Sequence, residues 1–322
     1  MKKVLIVDRV HPYLSEKLSE RGFVCLTDMT FTYDTFKAAP DDLYGLVIRS
    51  RFVVDKELLD SKPSLKFIVR IGSGVENIDV EYAEKKGVKV ISTPEGNANA
   101  VAEHCLGFLL AALRHLSSAD REVRAGEWHR EKNKGTELQS HTYGLIGYGH
   151  TGPAFAKLLR ALGCKVYAYD RYNPAAGDEN AEMTDLETIK RECDVISLHV
   201  NYMPENKYFI NKQFIDGVEH PFVLINTSRG LVVNTEDVLC ALEAGQIRVA
   251  CLDVLEYEST RLKNLPKEQW PAAMERLAQM ENVILTPHVG GQTPEAELRH
   301  AQVAVERIQE LPAHLPACDF NV

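Results

Sequence analysis

The chain has 322 residues, long for one domain and comfortable for two, with 45% hydrophobic and 26% charged residues, a balance that excludes a disordered chain. A net charge of −9 opposes a large nucleic-acid footprint, which needs clustered Lys and Arg. No run approaches the roughly 18 unbroken apolar residues of a membrane span, and the opening MKKVLIVD is too short for a signal-peptide core. Seven cysteines, Cys318 the last, contain no C-x-x-C pair and point to a reducing, cytoplasmic setting without a disulfide frame or metal site.

Short β-branched runs alternate with helical patterns almost throughout. Strands are predicted at 4–7, 23–26, 46–49, 67–69 and 88–91, then at 143–146, 166–169, 195–200, 223–226, 249–253 and 283–285. They are continuous apolar runs, the pattern of a parallel sheet buried on both faces. Helices between them give βαβ units with right-handed crossovers, so the fold class is α/β with two doubly wound parallel-sheet domains. A boundary is expected near 97–100. A helical pattern follows over 100–117, then a more polar stretch over 118–139 holding Trp128, and a new strand-turn-helix opens at Thr142. Near the far end, Thr293-Pro294-Glu295 reads as an N-cap with Pro at the first helical position. It starts a helix to about Glu310, before a Pro-broken tail.

The new strand runs into Gly147-Tyr148-Gly149-His150-Thr151-Gly152 and then an amphipathic helix. In such a G-x-G-x-x-G turn the first glycine permits a tight bend, the second lets a pyrophosphate approach the backbone, and the third packs helix against strand. Phosphates would sit on the unpaired N–H groups of the helix N-terminus. The next strand ends at Asp170, 23 residues after Gly147, close to the expected spacing of about 20. A carboxylate there accepts both ribose hydroxyls of an adenosine and repels a 2′-phosphate, which predicts NAD over NADP. Arg171 beside it argues the other way, and a turn-capping role for Asp170 is the alternative.

Three polar residues stand at the ends of predicted strands in the second half: Arg229 after LINTS, Glu258 past CLDV, and His288 after ILTP. Carboxyl ends of parallel strands form the ligand crevice, so the three can converge. A planar guanidinium suits a carboxylate. An imidazole suits proton transfer near neutral pH. A carboxylate can hold that imidazole and favour its charged form. Taken singly, the bland readings are a surface ion pair, a solvated loop acid and a structural histidine.

The segments VAEHCLGFLLAALR, GLIGYGHTG, YAYD, DVISLHV, LINTSRG, CLDVLEYE and VILTPHVGG occur in that order. With them the chain resembles the D-isomer-specific 2-hydroxyacid dehydrogenase family over nearly its whole length. The resemblance implies an NAD-dependent oxidoreductase acting on a D-2-hydroxy acid or its 2-keto partner. Arg229 would bind the substrate carboxylate and polarise its carbonyl, His288 would be the general acid/base, and Glu258 would pair with it. His199, Thr227 and Asp253 would join the glycine turn and Asp170 at the cofactor. Residues 1–98 with 292–322 would form a flavodoxin-like substrate domain and 99–291 a Rossmann NAD domain, with substrate closing the cleft between them. A homodimer is implied, with helix 100–117 and the arm around Trp128 as interface.

The phosphoglycerate dehydrogenase branch is the most similar, through GLVIRSRFVVDKELL, RIGSGVENIDV and PEGNANAVAEH. In those terms the backbone of Ser73, Gly74 and Val75 would hold the carboxylate, and Arg49, Ser50 and Asn97 would face the distal end of the substrate. An ion pair at a sheet edge is the alternative for Arg49. Three features depart from the family pattern: Asn201 replaces a proline, Ser259 follows Glu258 where proline is usual, and a helical insert through Trp270 to Met280 lengthens the path to His288. The regulatory domain of longer phosphoglycerate dehydrogenases does not follow, so feedback control by serine is expected to be absent. Competing readings are a glyoxylate or hydroxypyruvate reductase on the same machinery, and an NAD-sensing binding protein like the corepressors of the family.

Overall fold

Val4 and Ile6 face one apolar layer while Leu5 and Val7 face another, which is why the run from Val4 to Val7 is apolar at every position. The computed structural model describes residues 2–258 and 266–311. Ser259, the first part of the insert after Glu258, and the tail after Leu311 with Cys318 lie outside the described residues. The chain forms two compact units, one running Met1–Asn97 and resuming at Gln292, the other Ala98–Gly291.

In the first unit, strands β1 (Lys2–Ile6), β2 (Phe23–Thr27), β3 (Leu43–Ile48), β4 (Phe67–Arg70) and β5 (Lys89–Ser92) form one parallel sheet in the order β2-β1-β3-β4-β5. This is the flavodoxin-like order. The helix Pro294–Gln309 returns to cover one face, burying Ala301, Ala304, Val305 and Ile308 against Val4, Val47 and Val69. It starts as its sequence predicts, with the Thr293 hydroxyl accepting from the Ala296 amide at 3.0 Å and Pro294 at the first position.

The second unit carries β6 (Thr142–Ile146), β7 (Lys165–Tyr169), β8 (Glu182–Met183), β9 (Val195–Leu198), β10 (Phe222–Asn226), β11 (Ile247–Leu252) and β12 (Val283–Leu285). Their order is β12-β11-β10-β9-β6-β7-β8, all parallel, so the direction of winding reverses between β6 and β9. Ligands of open α/β sheets bind at such a switch point. Alternate residues again serve two cores: Val223 and Ile225 pack on one face, Phe222 and Leu224 on the other.

All eleven predicted strands are present, with ends shifted by up to three residues. The two-residue edge strand β8 has no apolar run to announce it. The helix expected over 100–117 is two helices, Ala98–Leu113 and Leu116–Arg124, separated by His115 at φ 53°. The break has a local cause. The Leu113 carbonyl accepts from the Thr136 amide at 3.0 Å, and Gly135 passes so close that a Cβ there would lie 2.4 Å from the Leu113 oxygen. The described part of the insert is helical over Ala272–Gln279, where Ala273, Met274 and Leu277 join the core.

Candidate active site

The glycine turn leaves β6 at the switch point, and its three glycines answer to different neighbours. Gly147 has φ 99°, and a Cβ there would sit 2.5 Å from the His199 carbonyl oxygen. A Cβ on Gly152 would sit 2.3 Å from the Gly147 oxygen. The fold itself therefore requires the first and third glycines. Around Gly149 no atom lies within 4 Å of a built Cβ, so nothing in the protein excludes a side chain there. The open space at the second glycine would admit a bound molecule. His150, the N-cap of helix Thr151–Ala161, gives no side-chain cap, which leaves first-turn amides available to an anion. These features fit a dinucleotide pyrophosphate.

Several of the predicted cofactor residues take on structural duties. The Tyr148 side chain is buried and donates to Asp178 Oδ1 at 2.8 Å, so only its backbone faces the turn. Asp170 does cap a turn: Oδ1 accepts from the Tyr172 and Asn173 amides at 2.9 Å, and Oδ2 from the Tyr148 amide at 2.8 Å. A carboxylate accepts about four hydrogen bonds, so about one site is left where the sequence reading expects two ribose contacts. His199 lies between Ser197 Oγ at 2.9 Å and Thr151 Oγ1 at 3.2 Å. Burial pushes its pKa down to about 3, so it is a neutral link between β9 and the helix Thr151–Ala161 and not an acid.

Beyond β10 the loop of Arg229 is shaped by Asn226, which is fully buried. Asn226 Oδ1 accepts from the Ser228 amide at 3.0 Å and hydroxyl at 2.8 Å, while Nδ2 donates to the Arg229 carbonyl at 3.0 Å. Gly230 then lies against the chain following β11: a Cβ there would be 1.9 Å from the Leu255 oxygen. Only glycine lets the Arg229 loop lie this close to the segment leading to Glu258. Thr227 Oγ1 contacts Cys105 Sγ at 3.3 Å, and burial pushes that thiol up to about 12, which makes it inert.

Glu258 Oε2 pairs with His288 Nδ1 at 2.7 Å, both side chains half-buried. A carboxylate only accepts, so Nδ1 carries the hydrogen and Nε2 is the nitrogen left for a reacting atom. His288 has φ 55°, a conformation that costs a non-glycine residue roughly 1–3 kcal/mol and persists only where neighbours enforce it. Here the enforcing group is Asp253, 2% exposed. Its carboxylate accepts from Thr286 Oγ1 at 2.6 Å and from the Val289 and Gly290 amides at 2.8 Å, and its carbonyl accepts from the His288 amide at 2.8 Å. Asp253, expected beside the cofactor, thus spends its oxygens beneath the His288 loop. Since the Thr286 hydroxyl donates to Asp253, His104 Nε2 at 3.0 Å from it must be a donor. Sequence reading singled out neither Asn226 nor His104; both sit inside quoted motifs, but only the folded loops show what they hold.

The six substrate-side residues predicted in the first unit follow β3, β4 and β5. Asp8, at the end of β1 and not foreseen, accepts from the amides of Arg49 at 2.6 Å, Ser50 at 3.2 Å and Arg51 at 3.3 Å. Ser73 Oγ donates to Asn97 Oδ1 at 3.2 Å, and the Val75 carbonyl accepts from the Ile78 amide at 2.9 Å, closing a turn from Val75 to Ile78. Arg70, also not foreseen, folds its guanidinium back over Gly72: a Cβ there would lie 1.8 Å from Nη1.

The family model described as "D-isomer specific 2-hydroxyacid dehydrogenase, NAD binding domain" matches residues 106–290, which include the glycine turn, Arg229, Glu258 and His288. The chain belongs to this family. The chain is 36% identical over 263 residues to hydroxypyruvate reductase of Thermotoga maritima, covering 82% of this chain and 83% of the relative. It is 35% identical over 278 residues to D-3-phosphoglycerate dehydrogenase of a Synechocystis strain, covering 85% of this chain and 48% of the relative. The chain thus spans about half the length of that phosphoglycerate dehydrogenase. The solved D-lactate dehydrogenase from Aquifex aeolicus, complexed with NAD and lactic acid, superposes with a TM-score of 0.78 at 27% identity, covering 96% of this chain and 94% of that one. As a member of this family, the chain is an NAD-dependent oxidoreductase. Among its described residues no helix is long and apolar enough to cross a membrane.

Proposed function

We propose that this dehydrogenase acts on a 2-hydroxy/2-keto acid pair carrying a second anionic group, as D-3-phosphoglycerate dehydrogenases do. The observation that carries the reading is Arg49, a cation just past the end of β3 whose backbone amide is held by Asp8. We assign the substrate carboxylate to Arg229 and to the Ser73, Gly74 and Val75 backbone, and a distal phosphate to Arg49; a guanidinium fork pairs well with phosphate oxygens.

The turn Gly147–Gly152, Asp170 and Thr227 would hold NAD, which when bound supplies or accepts the hydride. Arg229 orients the carboxylate and polarises the neighbouring carbonyl. His288 delivers a proton from Nε2 to the oxygen that becomes the hydroxyl, and removes it in the reverse direction. Glu258 keeps the ring in the tautomer with hydrogen on Nδ1. Asn226 and Asp253 hold the two loops so that no reorganisation is needed during the reaction.

A hydroxypyruvate or glyoxylate reductase is the second reading, favoured by relatives so named that match over 83% and 76% of their own lengths. Following NADH absorbance with phosphohydroxypyruvate, hydroxypyruvate, glyoxylate and pyruvate in parallel separates the readings. The highest kcat/KM with phosphohydroxypyruvate is expected; preference for an unphosphorylated acid selects the second reading. NADH binding without turnover of any of the four would point instead to a sensor. We also assign a cytoplasmic homodimer. Exposed Leu116, Val123 and Trp128, the last 75% exposed, support an interface along the second unit's arm. Light scattering showing only monomer at micromolar concentration would remove the dimer.

A further inference from the structure

The first unit's substrate turn is held by a helix more than 200 residues further along the chain. His300 on that helix, Pro294–Gln309, is 5% exposed, and its Nδ1 lies 2.8 Å from both the carbonyl and the hydroxyl of Thr93, itself fully buried. A carbonyl only accepts, so Nδ1 carries the hydrogen. Burial holds the His300 pKa down to about 4, so the ring is neutral and this tautomer is fixed at neutral pH. The Thr93 hydroxyl accepts from the Gly72 amide at 2.9 Å, and the Thr93 amide donates to the Gly72 carbonyl at 2.9 Å. Gly72 has φ 129° and immediately precedes Ser73. The same helix fixes the other side of the turn. Arg299 Nε donates to the Gly96 carbonyl at 3.1 Å, and Gly96 precedes Asn97, the partner of Ser73. A Cβ on Gly96 would lie 2.1 Å from His300 Nδ1, so the glycine in the P-x-G-N segment makes room for this imidazole.

We infer that Thr93 and His300 are positioning residues for substrate binding: through them the returning helix fixes Gly72 and so the Ser73, Gly74 and Val75 backbone that receives a carboxylate. The inference rests on the proposed role of that turn. It separates these residues from the chemistry, because neither touches the groups assigned to proton or hydride transfer.

The test uses the full-length enzyme, NADH and the preferred 2-keto acid. Thr93→Val keeps the shape and removes the acceptor of the Gly72 amide. It should raise KM about tenfold, the scale of one lost buried hydrogen bond, with kcat within about threefold and NADH Kd within about twofold. Thr93→Ser restores the hydroxyl and should return KM to within about threefold of the parent. His300→Leu, which fills the space and removes the Nδ1 donor to Thr93, carries the same test if Thr93→Val does not fold. An unchanged KM in a folded variant, or NADH Kd rising in step with KM, overturns the inference while the parent still turns over. A parent with no turnover on any 2-keto acid removes the substrate reading and the inference together.

Discussion

The two units hold their functional loops in opposite ways. In the second, the loop of His288 is fixed from within its own strand pair: Asp253, just past β11, accepts the amides of Val289 and Gly290, just past β12. In the first, Asp8 performs the same service for the amides of Arg49 to Arg51, but the Ser73 turn depends on His300 from the far end of the chain. A loop fixed by neighbouring strands is encoded locally. A loop fixed by a returning helix exists only once the whole unit has folded. The difference predicts that damage in the second unit appears as lost chemistry, and damage in the first as lost substrate affinity.

The strongest break in that comparison should come from Arg229→Gln, which removes the only group assigned to both carboxylate binding and carbonyl polarisation. The expected loss in kcat/KM is about 10²–10³-fold, with kcat lowered and KM raised together, read from steady-state kinetics. A change in KM alone would move Arg229 from chemistry to simple binding.

The glycine turn sharpens the comparison within one unit. Gly152→Ala forces a Cβ against the Gly147 carbonyl and should destabilise the protein by about 1–3 kcal/mol, seen as a fall in Tm. Gly149→Ala meets no protein atom, so Tm should hold while NADH Kd weakens about tenfold. Equal Tm losses for the two would show that the second glycine is structural after all.

Each unit also holds a neutral histidine with a strongly lowered pKa, His199 in the second and His300 in the first. Unfolded imidazoles take up protons near pH 6.5, whereas the folded ones wait until about 3 and about 4. The stability they confer is complete above pH 6.5 and is lost as pH falls, by up to about 1.4 kcal/mol per pH unit for each histidine. Denaturation midpoints measured from pH 7 to pH 5 should fall, and His300→Asn should flatten the slope by about half. A slope unchanged by that substitution would contradict the buried, neutral state of His300.

The mildest change is Asp8→Asn, which keeps one acceptor but removes the charge facing three amides. KM should rise about threefold to tenfold with kcat unaltered.

What was legible in the sequence follows the same division. The β-branched runs mark eleven strands because both faces of each parallel sheet are buried, and the glycine turn, Asp170, Arg229, Glu258 and His288 sit in short ordered motifs. The role of Asp253 beneath the loop was not readable, since a carboxylate facing amides looks in sequence like one facing a ligand. Asp8, Thr93 and His300 are single polar residues whose partners lie 21 to 207 positions away, so no local pattern announces them. The end of helix Ala98–Leu113 was missed for a related reason: the group that closes it comes from Gly135 and Thr136, in the polar stretch.

The most direct test of the account is single-turnover reduction of the preferred 2-keto acid by the NADH-loaded enzyme, with His288→Asn compared to the parent. The account predicts a fall in rate of about 10²–10⁴-fold, the usual contribution of a general acid, with NADH Kd unchanged within about twofold. A His288→Asn enzyme that transfers hydride at nearly the parent rate would contradict the assignment of His288, and with it the proposed division of labour between the units.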